Sequence, residues 1–202
     1  MKNSILILKI SIFLSVSAHS QNMIINSNFD DLNKKVPNPK GYCHTAANNQ
    51  YSDVTPANNW TAWVNNPTEN SCMIMEVSNL KTTCNLPQPP KNSLVGGNMM
   101  HIVSTIGHSG FAQNPLPKNN GVKASCWVYV IRGNVNFGVI NSGNNAFQNV
   151  VTSQSICKWE YLSFEYKNPI DNVTIYSKWA NNAMNDGAEF YIDNIIIENL
   201  QK

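Results

Sequence analysis

The chain has 202 residues, of which only 13% are charged, and its formal net charge is +2 at pH 7. This composition excludes the strongly basic surface that attracts the phosphate backbone of nucleic acids. Without Lys2 and Lys9, which lie in the first 20 residues, the chain has 12 basic and 12 acidic residues, and its formal net charge is zero.

Residues 1–20 have the composition of a secretory signal peptide. Lys2 and Lys9 supply positive charge beside a short apolar stretch, and small residues, Ala18 and Ser20, precede a cleavage point after Ser20. The apolar stretch is shorter than the roughly 20 residues of a membrane span, and no later segment is longer. We therefore expect a secreted protein without a membrane span, in which residues 21–202 form one domain.

The rest of the chain predicts an all-β fold. Short runs rich in β-branched and aromatic residues alternate with clusters of Asn, Gly and Pro, and no long stretch shows helical periodicity. The expected loops are 31–59 and 84–93. In chain order, the predicted strands are 22–30, 60–64, 72–77, 98–104, 121–133, 135–141, 159–166, 172–180 and 189–198. This spacing is typical of a two-sheet β-sandwich.

The run 121–133 shows which side of a strand faces the core. Since successive side chains point to opposite faces, one face carries the small, mainly aliphatic set Val122, Ala124, Cys126, Val128 and Val130. The opposite face carries Lys123, Ser125, Trp127, Tyr129 and Ile131. Either this second face is open and offers aromatic rings to a ligand, or a loop covers it.

The same alternation in later runs predicts further outward side chains, namely Asn136, Tyr176 and Lys178. If all the outward sets share one sheet face, aromatic rings and amides converge on it. Aromatic rings stack on the apolar faces of sugars, and amides bind their hydroxyls. We therefore predict a site for a polysaccharide or other glycan, with Trp127 and Tyr129 as stacking platforms and Asn136, Tyr176 and Lys178 as polar or secondary contacts.

Five cysteines suit an exported protein that keeps disulfides, and their odd number leaves at least one thiol unpaired or bridged outward. The first choice of pair is Cys72 with Cys84, which flank a short loop. The chain lacks a C-x-x-C motif, which argues against a thioredoxin-like site or a zinc ribbon.

Four segments in order resemble the jelly-roll carbohydrate-binding modules of families four, nine and twenty-two, in the galactose-binding-like superfamily. They are "NMIINSNFDD" at 22–31, "GVKASCWVYV" at 121–130, "WEYLSFEY" at 159–166 and "AEFYIDNIIIE" at 188–198. The resemblance implies a jelly roll whose first and last strands lie together, and a non-catalytic role in binding carbohydrate.

The resemblance also bears on Asp193, a carboxylate inside the apolar run "AEFYIDNIIIE". It implies a structural calcium ion held by Asn28, Asp30 and Asp193, because calcium takes several oxygen ligands including carboxylates. Asn194 stands where many relatives carry a second acid, which would weaken such a site. The alternative is that Asp193 accepts hydrogen bonds from backbone N–H groups.

Two other classes of function stay open. A secreted interaction protein, such as an adhesin or toxin-like effector, would use the same fold to hold a protein partner, with its aromatic face covered and an apolar patch elsewhere. A small jelly-roll lyase or hydrolase would need a convergent set of acid, base or nucleophile. "GHSGF" at 107–111 departs from the G-x-S-x-G nucleophile motif, so Ser109 is a poor candidate.

Overall fold

The structure is a computed structural model. The residues that it describes are 21–36, 40–43, 49–51, 55–64, 72–81, 84, 96–105, 109–141, 147–177 and 187–200. The predicted signal peptide, residues 1–20, and the predicted contact residue Lys178 lie outside these ranges.

All regular structure in the described residues is β-strand, as the sequence predicts. The twelve strands are β1 (Lys40–Cys43), β2 (Asn49–Tyr51), β3 (Thr61–Val64), β4 (Cys72–Ser78), β5 (Met99–Ser104), β6 (Ser109–Gln113), β7 (Val122–Arg132), β8 (Val135–Asn141), β9 (Phe147–Thr152), β10 (Trp159–Tyr166), β11 (Ile170–Ser177) and β12 (Glu189–Asn199).

The strands form two antiparallel sheets. The first sheet has the order β1-β4-β5-β12-β7-β10, and the second has the order β2-β3-β6-β11-β8-β9. From β5 onwards the chain crosses repeatedly between the sheets, so that β5, β7, β10 and β12 lie in one and β6, β8, β9 and β11 in the other. Such interleaving of two sheets is the topology of a jelly roll, so the predicted fold class is confirmed.

The core lies between the sheets and is built from alternate side chains. The inward set predicted for β7 is fully buried there, and so are Phe137 of β8 and Ile175 of β11. Aromatic contacts join the second sheet to the N-terminal segment. The ring of Phe29 in that segment packs against Trp60 and against Phe111 of β6, and the centroids of the three rings are 5.1–5.9 Å apart. The period-two interpretation of these strands is therefore confirmed.

The predicted first strand, 22–30, is wrong. Asn26 and Phe29 both adopt φ of 57°, which bends the segment into turns that no extended strand contains. The segment nevertheless lies against β12, since the Met23 N–H donates to the Ile197 carbonyl at 2.7 Å. The side chain of Asn22 also bonds to the backbone of Ile195 and Ile197. The segment that begins at Asn22 thus lies beside β12 without being a strand itself.

Other differences concern short strands. The predicted loop 31–59 contains β1 and β2, and the sequence did not indicate β6 or β9. β6 includes Gly110, which lacks a side chain, and β9 contains two polar residues, so neither has a strong alternating pattern. The run predicted at 172–180 begins two residues earlier, at Ile170.

The predicted pair of Cys72 with Cys84 is also wrong. Cys84 bonds to Cys157, 73 residues later in the chain, with a Cα–Cα distance of 5.6 Å. The chain position of cysteines does not reveal this pairing, because the two residues meet only when the loops flanking β4 and β10 fold over the same sheet. A disulfide is compatible with an extracellular location.

Within the residues that the structure describes, no helix has the length and hydropathy to cross a lipid bilayer.

Candidate functional site

The outer face of the first sheet carries an open pair of aromatic rings. Trp127 on β7 and Tyr161 on β10 are directly opposite each other in the antiparallel ladder. Their ring centroids are 5.0 Å apart and their planes are tilted by 49°. Tyr161 is 50% exposed and Trp127 is partly exposed, so both rings present surface to solvent. Cross-strand aromatic pairs of this kind also stabilise the sheet, by about 0.2–1 kcal/mol.

Polar side chains continue this face along the same two strands. Ser163 lies opposite Ser125, and Glu165 lies opposite Lys123. The two-residue period places them on the same side as the rings. Together, the six residues form what we call the β7–β10 platform: Lys123, Ser125, Trp127, Tyr161, Ser163 and Glu165. It offers flat apolar surface at one end, with the exposed Ser163 hydroxyl and two opposite charges at the other, while Ser125 is buried.

The neighbouring part of the same face is covered. Tyr129 is fully buried and packs edge-on against Trp159, with centroids 5.4 Å apart. The cystine Cys84–Cys157 belongs to the same apolar cluster. Burial raises the pKa of Tyr129, and among the described residues neither its hydroxyl nor the Trp159 indole nitrogen has a hydrogen-bond partner. Tyr129 therefore does not offer a stacking surface, and the loop-covered alternative holds at this position.

Two further predicted contact residues, Asn136 and Tyr176, lie on the other sheet, so the prediction of one shared face is wrong. Asn136 is on β8 and Tyr176 is on β11, both strands of the second sheet. They are neighbours there, directly opposite across the β8–β11 ladder. Alternation fixes the side of a strand on which a residue lies but not the sheet to which the strand belongs, and the two outward sets face away from each other.

The second-sheet face around Tyr176 is closed. Tyr176 is only 2% exposed, and Trp63 packs against it with centroids 5.5 Å apart. Burial raises the pKa of Tyr176 to about 12, an effect that contact with the Asn136 side chain partly opposes. The Asn136 carbonyl oxygen accepts a bond from the Thr152 hydroxyl at 2.7 Å, while its buried amide nitrogen has no well-formed hydrogen bond.

Asp193 lies beside the platform, opposite Trp127 across the β7–β12 ladder. A bulge in β12 follows it, where Asn194 adopts φ of 52°. The carboxylate is fully buried, and its two oxygens accept backbone N–H bonds from Gly96 at 2.9 Å and from Asn194 at 2.7 Å. Both carboxylate oxygens are therefore hydrogen-bonded by backbone N–H groups, although these bonds do not offset the full cost of burying the charge.

The proposed calcium ligands only partly fit a metal site. Asn28 and Asp30 are exposed and Asp193 is buried. Burial and, to a smaller extent, the negative charge of Asp30 raise the pKa of Asp193 to about 7, against the lowering effect of the two backbone bonds. A cation there would offset both effects. Among the described residues, no group of three His, Cys, Asp or Glu side chains is placed to hold a metal ion.

One polar cluster was not foreseen. His101 on β5 lies between Glu76 of β4 and Glu189 of β12, with Nδ1 2.7 Å from one carboxylate and Nε2 3.2 Å from the other. The imidazole stacks on Tyr191 with centroids 4.1 Å apart and planes within 4°. The sequence shows only isolated charges in three distant strands, so no spacing signal could have found this cluster before the strand order was known.

Replacing His101 with alanine should lower the free energy of unfolding by about 2 kcal/mol, because two partly buried carboxylates lose the imidazole that contacts both. Urea denaturation at pH 7 measures the change. In a Glu76→Gln background the same replacement should cost less, since one of the two carboxylate partners is already gone. Equal costs in both backgrounds would show that the contact with the Glu76 carboxylate contributes nothing.

Ser109 lies in a buried group of serine hydroxyls. It begins β6, is fully buried, and its hydroxyl is hydrogen-bonded to those of Ser104 and Ser177.

No protein-family model matches the chain, and no curated protein sequence matches it either. Several solved structures are similar. One is a family 11 carbohydrate-binding module from Clostridium thermocellum in complex with a β-1,3-1,4-mixed-linked tetrasaccharide, with 15% identity, 78% of this chain and 99% of that chain covered, and a TM-score of 0.48.

Two further similar structures are also carbohydrate-binding modules. TmCBM61 in complex with β-1,4-galactotriose has 11% identity, covers 90% of this chain and 100% of that chain, and has a TM-score of 0.45. A variant of a family 29 module has 17% identity, 60% and 80% coverage, and a TM-score of 0.41. The jelly-roll fold of this chain follows from its own strand order.

Proposed function

We propose that this chain is a secreted, non-catalytic carbohydrate-binding protein whose ligand lies on the β7–β10 platform. The observation that carries the proposal is the open pair of Trp127 and Tyr161 on a sheet face. Large aromatic rings are normally buried, so an accessible pair on a rigid β-ladder favours a ligand with a flat apolar surface.

The platform suits a neutral glycan chain. The rings of Trp127 and Tyr161 would stack on the apolar faces of sugar rings. The hydroxyl of Ser163 and the charged groups of Lys123 and Glu165 would bind sugar hydroxyls further along the strands. Their charges are of opposite sign and sit directly across from each other, so the platform has no strong field that would select an acidic ligand.

Secretion and domain organisation complete the proposal. The signal-like segment 1–20 would be removed, and residues 21–202 would form one domain around the shared core. The Cys84–Cys157 disulfide supports an oxidising destination. A calcium ion held by Asn28, Asp30 and Asp193 is part of the proposal, as a support for the bulge of β12 rather than as a contact to the ligand.

A protein partner is the second candidate function. A protein-binding role predicts that the whole aromatic face is covered, and Tyr129 on that face is buried in an apolar cluster. The open rings of Trp127 and Tyr161 distinguish the two, since a covered face would have left neither exposed.

Isothermal titration of residues 21–202 with soluble glycans tests the function. The panel should include β-1,4-galactan and mixed-linked β-1,3-1,4-glucan, which resemble the ligands of two similar structures. We expect binding to at least one, and a Kd raised about tenfold or more in both Trp127→Ala and Tyr161→Ala, because each removes a stacking ring.

Ile74→Ala is the matched control. Ile74 is 43% exposed on the same sheet but on β4, away from the platform, so the change removes a similar exposed apolar group and should leave the Kd unchanged. Failure of the wild type to bind any glycan in a broad panel would reject the function. Unchanged binding by both aromatic variants would reject the platform as its site.

A further inference from the structure

We propose that Cys43 and Cys72 form a second disulfide, which joins strands β1 and β4 of the first sheet. The backbone register places these two residues directly opposite each other at the end of the antiparallel β1–β4 ladder. Opposed residues in such a ladder have Cα atoms about 4.5–5.5 Å apart. That separation lies within the range of about 4.4–6.8 Å that a disulfide spans.

The other cysteines do not compete for this pairing. Cys84 and Cys157 are bonded to each other, and Cys126 is a buried free thiol on the core side of β7. In the sheet order, β7 is four positions from β1, which at the usual strand spacing puts roughly 19 Å between them. Cys126 therefore cannot reach Cys43, and it is the odd cysteine of the five.

The bond would secure an exposed part of the fold. β1 has only four residues and stands at the edge of the first sheet, where β4 is its neighbour. Between Cys43 and Cys72 the chain passes into the second sheet, to which it contributes β2 and β3. A disulfide between Cys43 and Cys72 would hold β1 in register with β4. It would also fix both ends of the segment that contributes β2 and β3 to the second sheet.

Formation of the bond is a two-electron oxidation. The Cys43 and Cys72 thiols lose two protons and two electrons as the sulfur–sulfur bond forms. The acceptor is a disulfide of a thiol–disulfide oxidoreductase, or oxidised glutathione, which is reduced to two thiols. Such oxidants act in the exporting compartments where disulfides persist.

Alkylation and mass spectrometry test the bond. The protein expressed with export is denatured without reduction, treated with iodoacetamide and weighed intact. We expect one alkylated residue, Cys126. Alkylation of Cys43 and Cys72 as well, giving three, would overturn the proposal.

Peptide mapping locates the bond. Trypsin leaves both cysteines in one peptide, 41–81, but added Glu-C protease cuts after Glu69 and Glu76. We expect peptides 41–69 and 70–76 to stay joined until a reductant is added. Their separation without reductant would overturn the proposal.

A single substitution provides the matched check. Cys43→Ser should release one extra reactive thiol, at Cys72, while Cys126→Ala should remove the one already present. If Cys72 stays blocked in Cys43→Ser, it is paired elsewhere and the proposal is wrong. These readouts are independent of glycan binding, and they need no folded variant.

Discussion

Replacing Gly110 with alanine should lower the free energy of unfolding by about 3 kcal/mol, through overpacking of the second sheet. A methyl group there would lie 2.0 Å from the Ile175 carbonyl oxygen and 2.6 Å from the Tyr176 Cα. Both are backbone atoms of the paired strand β11, so no side-chain rotation relieves the contact. The β6–β11 ladder would have to shift. Urea denaturation followed by tryptophan fluorescence measures the loss.

The matched control for Gly110 is its neighbour on the same face of β6. Ala112→Gly removes a methyl group from a buried position of the same strand, and should cost about 1 kcal/mol from added backbone freedom and lost packing. A Gly110→Ala protein as stable as the wild type would show that β6 and β11 do not approach as closely as the structure shows.

The second large effect is a loss of stability with rising pH that comes from Asp193. Burial raises the pKa of this carboxyl from 3.8 to about 7, so between these values the folded protein binds a proton that the unfolded chain does not. Its contribution to stability is fully present below pH 4 and is lost as the pH rises through 7. The change is roughly 4 kcal/mol in metal-free buffer.

Asp193→Asn isolates this effect from other titrating groups. Subtracting the free energies of unfolding of the variant from those of the wild type between pH 4 and 8 leaves the contribution of the Asp193 carboxyl. We expect that difference to fall as the pH rises. If the difference between the two free energies of unfolding does not change with pH, the pKa of Asp193 is the same in the folded and unfolded protein. That result would contradict the prediction.

Calcium gives the same experiment a second arm. If Asn28, Asp30 and Asp193 hold the ion, millimolar calcium chloride should stabilise the wild type at pH 8 and have little effect at pH 5, where the carboxyl is protonated. Asp193→Asn should not respond at either pH. No stabilisation of the wild type at pH 8 would reject the calcium proposal and leave the two backbone donors as the support of Asp193.

Local pattern was sufficient to predict most strands and their buried faces. In β7 the small aliphatic set alternates with large polar and aromatic residues, and the same period holds in β8, β10 and β11. Burial of one face imposes that period on the sequence, so it can be read without knowing the partner strands. The prediction of a strand at 22–30 is wrong because the chain turns at Asn26 and Phe29, although the apolar residues of this segment suggest an extended conformation.

The site was predicted only in part, because it depends on long-range pairing. Trp127 keeps some exposed surface on the first sheet, whereas Asn136 and Tyr176 lie on the second sheet and are buried. Tyr161, the partner of Trp127, follows the two-residue period of β10, but that period does not show that the two residues are neighbours. Pairing of β7 with β10 rather than with the adjacent β8 follows from the crossing of the chain between sheets, which no local pattern encodes.

Which part of a sheet face is buried also depends on segments that are distant in the sequence. Tyr129 and Trp127 are two residues apart on the same side of β7, yet only Trp127 keeps exposed surface. Tyr129 belongs to a buried cluster with Met99 and Tyr191, against which Trp159 and the cystine Cys84–Cys157 pack from distant parts of the chain. The Glu76–His101–Glu189 cluster likewise needs three strands in the correct order.

A two-dimensional NMR titration of the tryptophan indole N–H signals tests the platform most directly. The chain has five tryptophans, and Trp→Phe variants assign Trp63 and Trp127. On adding a glycan that binds, we expect the Trp127 signal to shift while that of Trp63, on the opposite sheet, stays in place. A shift of Trp63 with Trp127 unmoved would contradict the account and place the ligand on the second sheet.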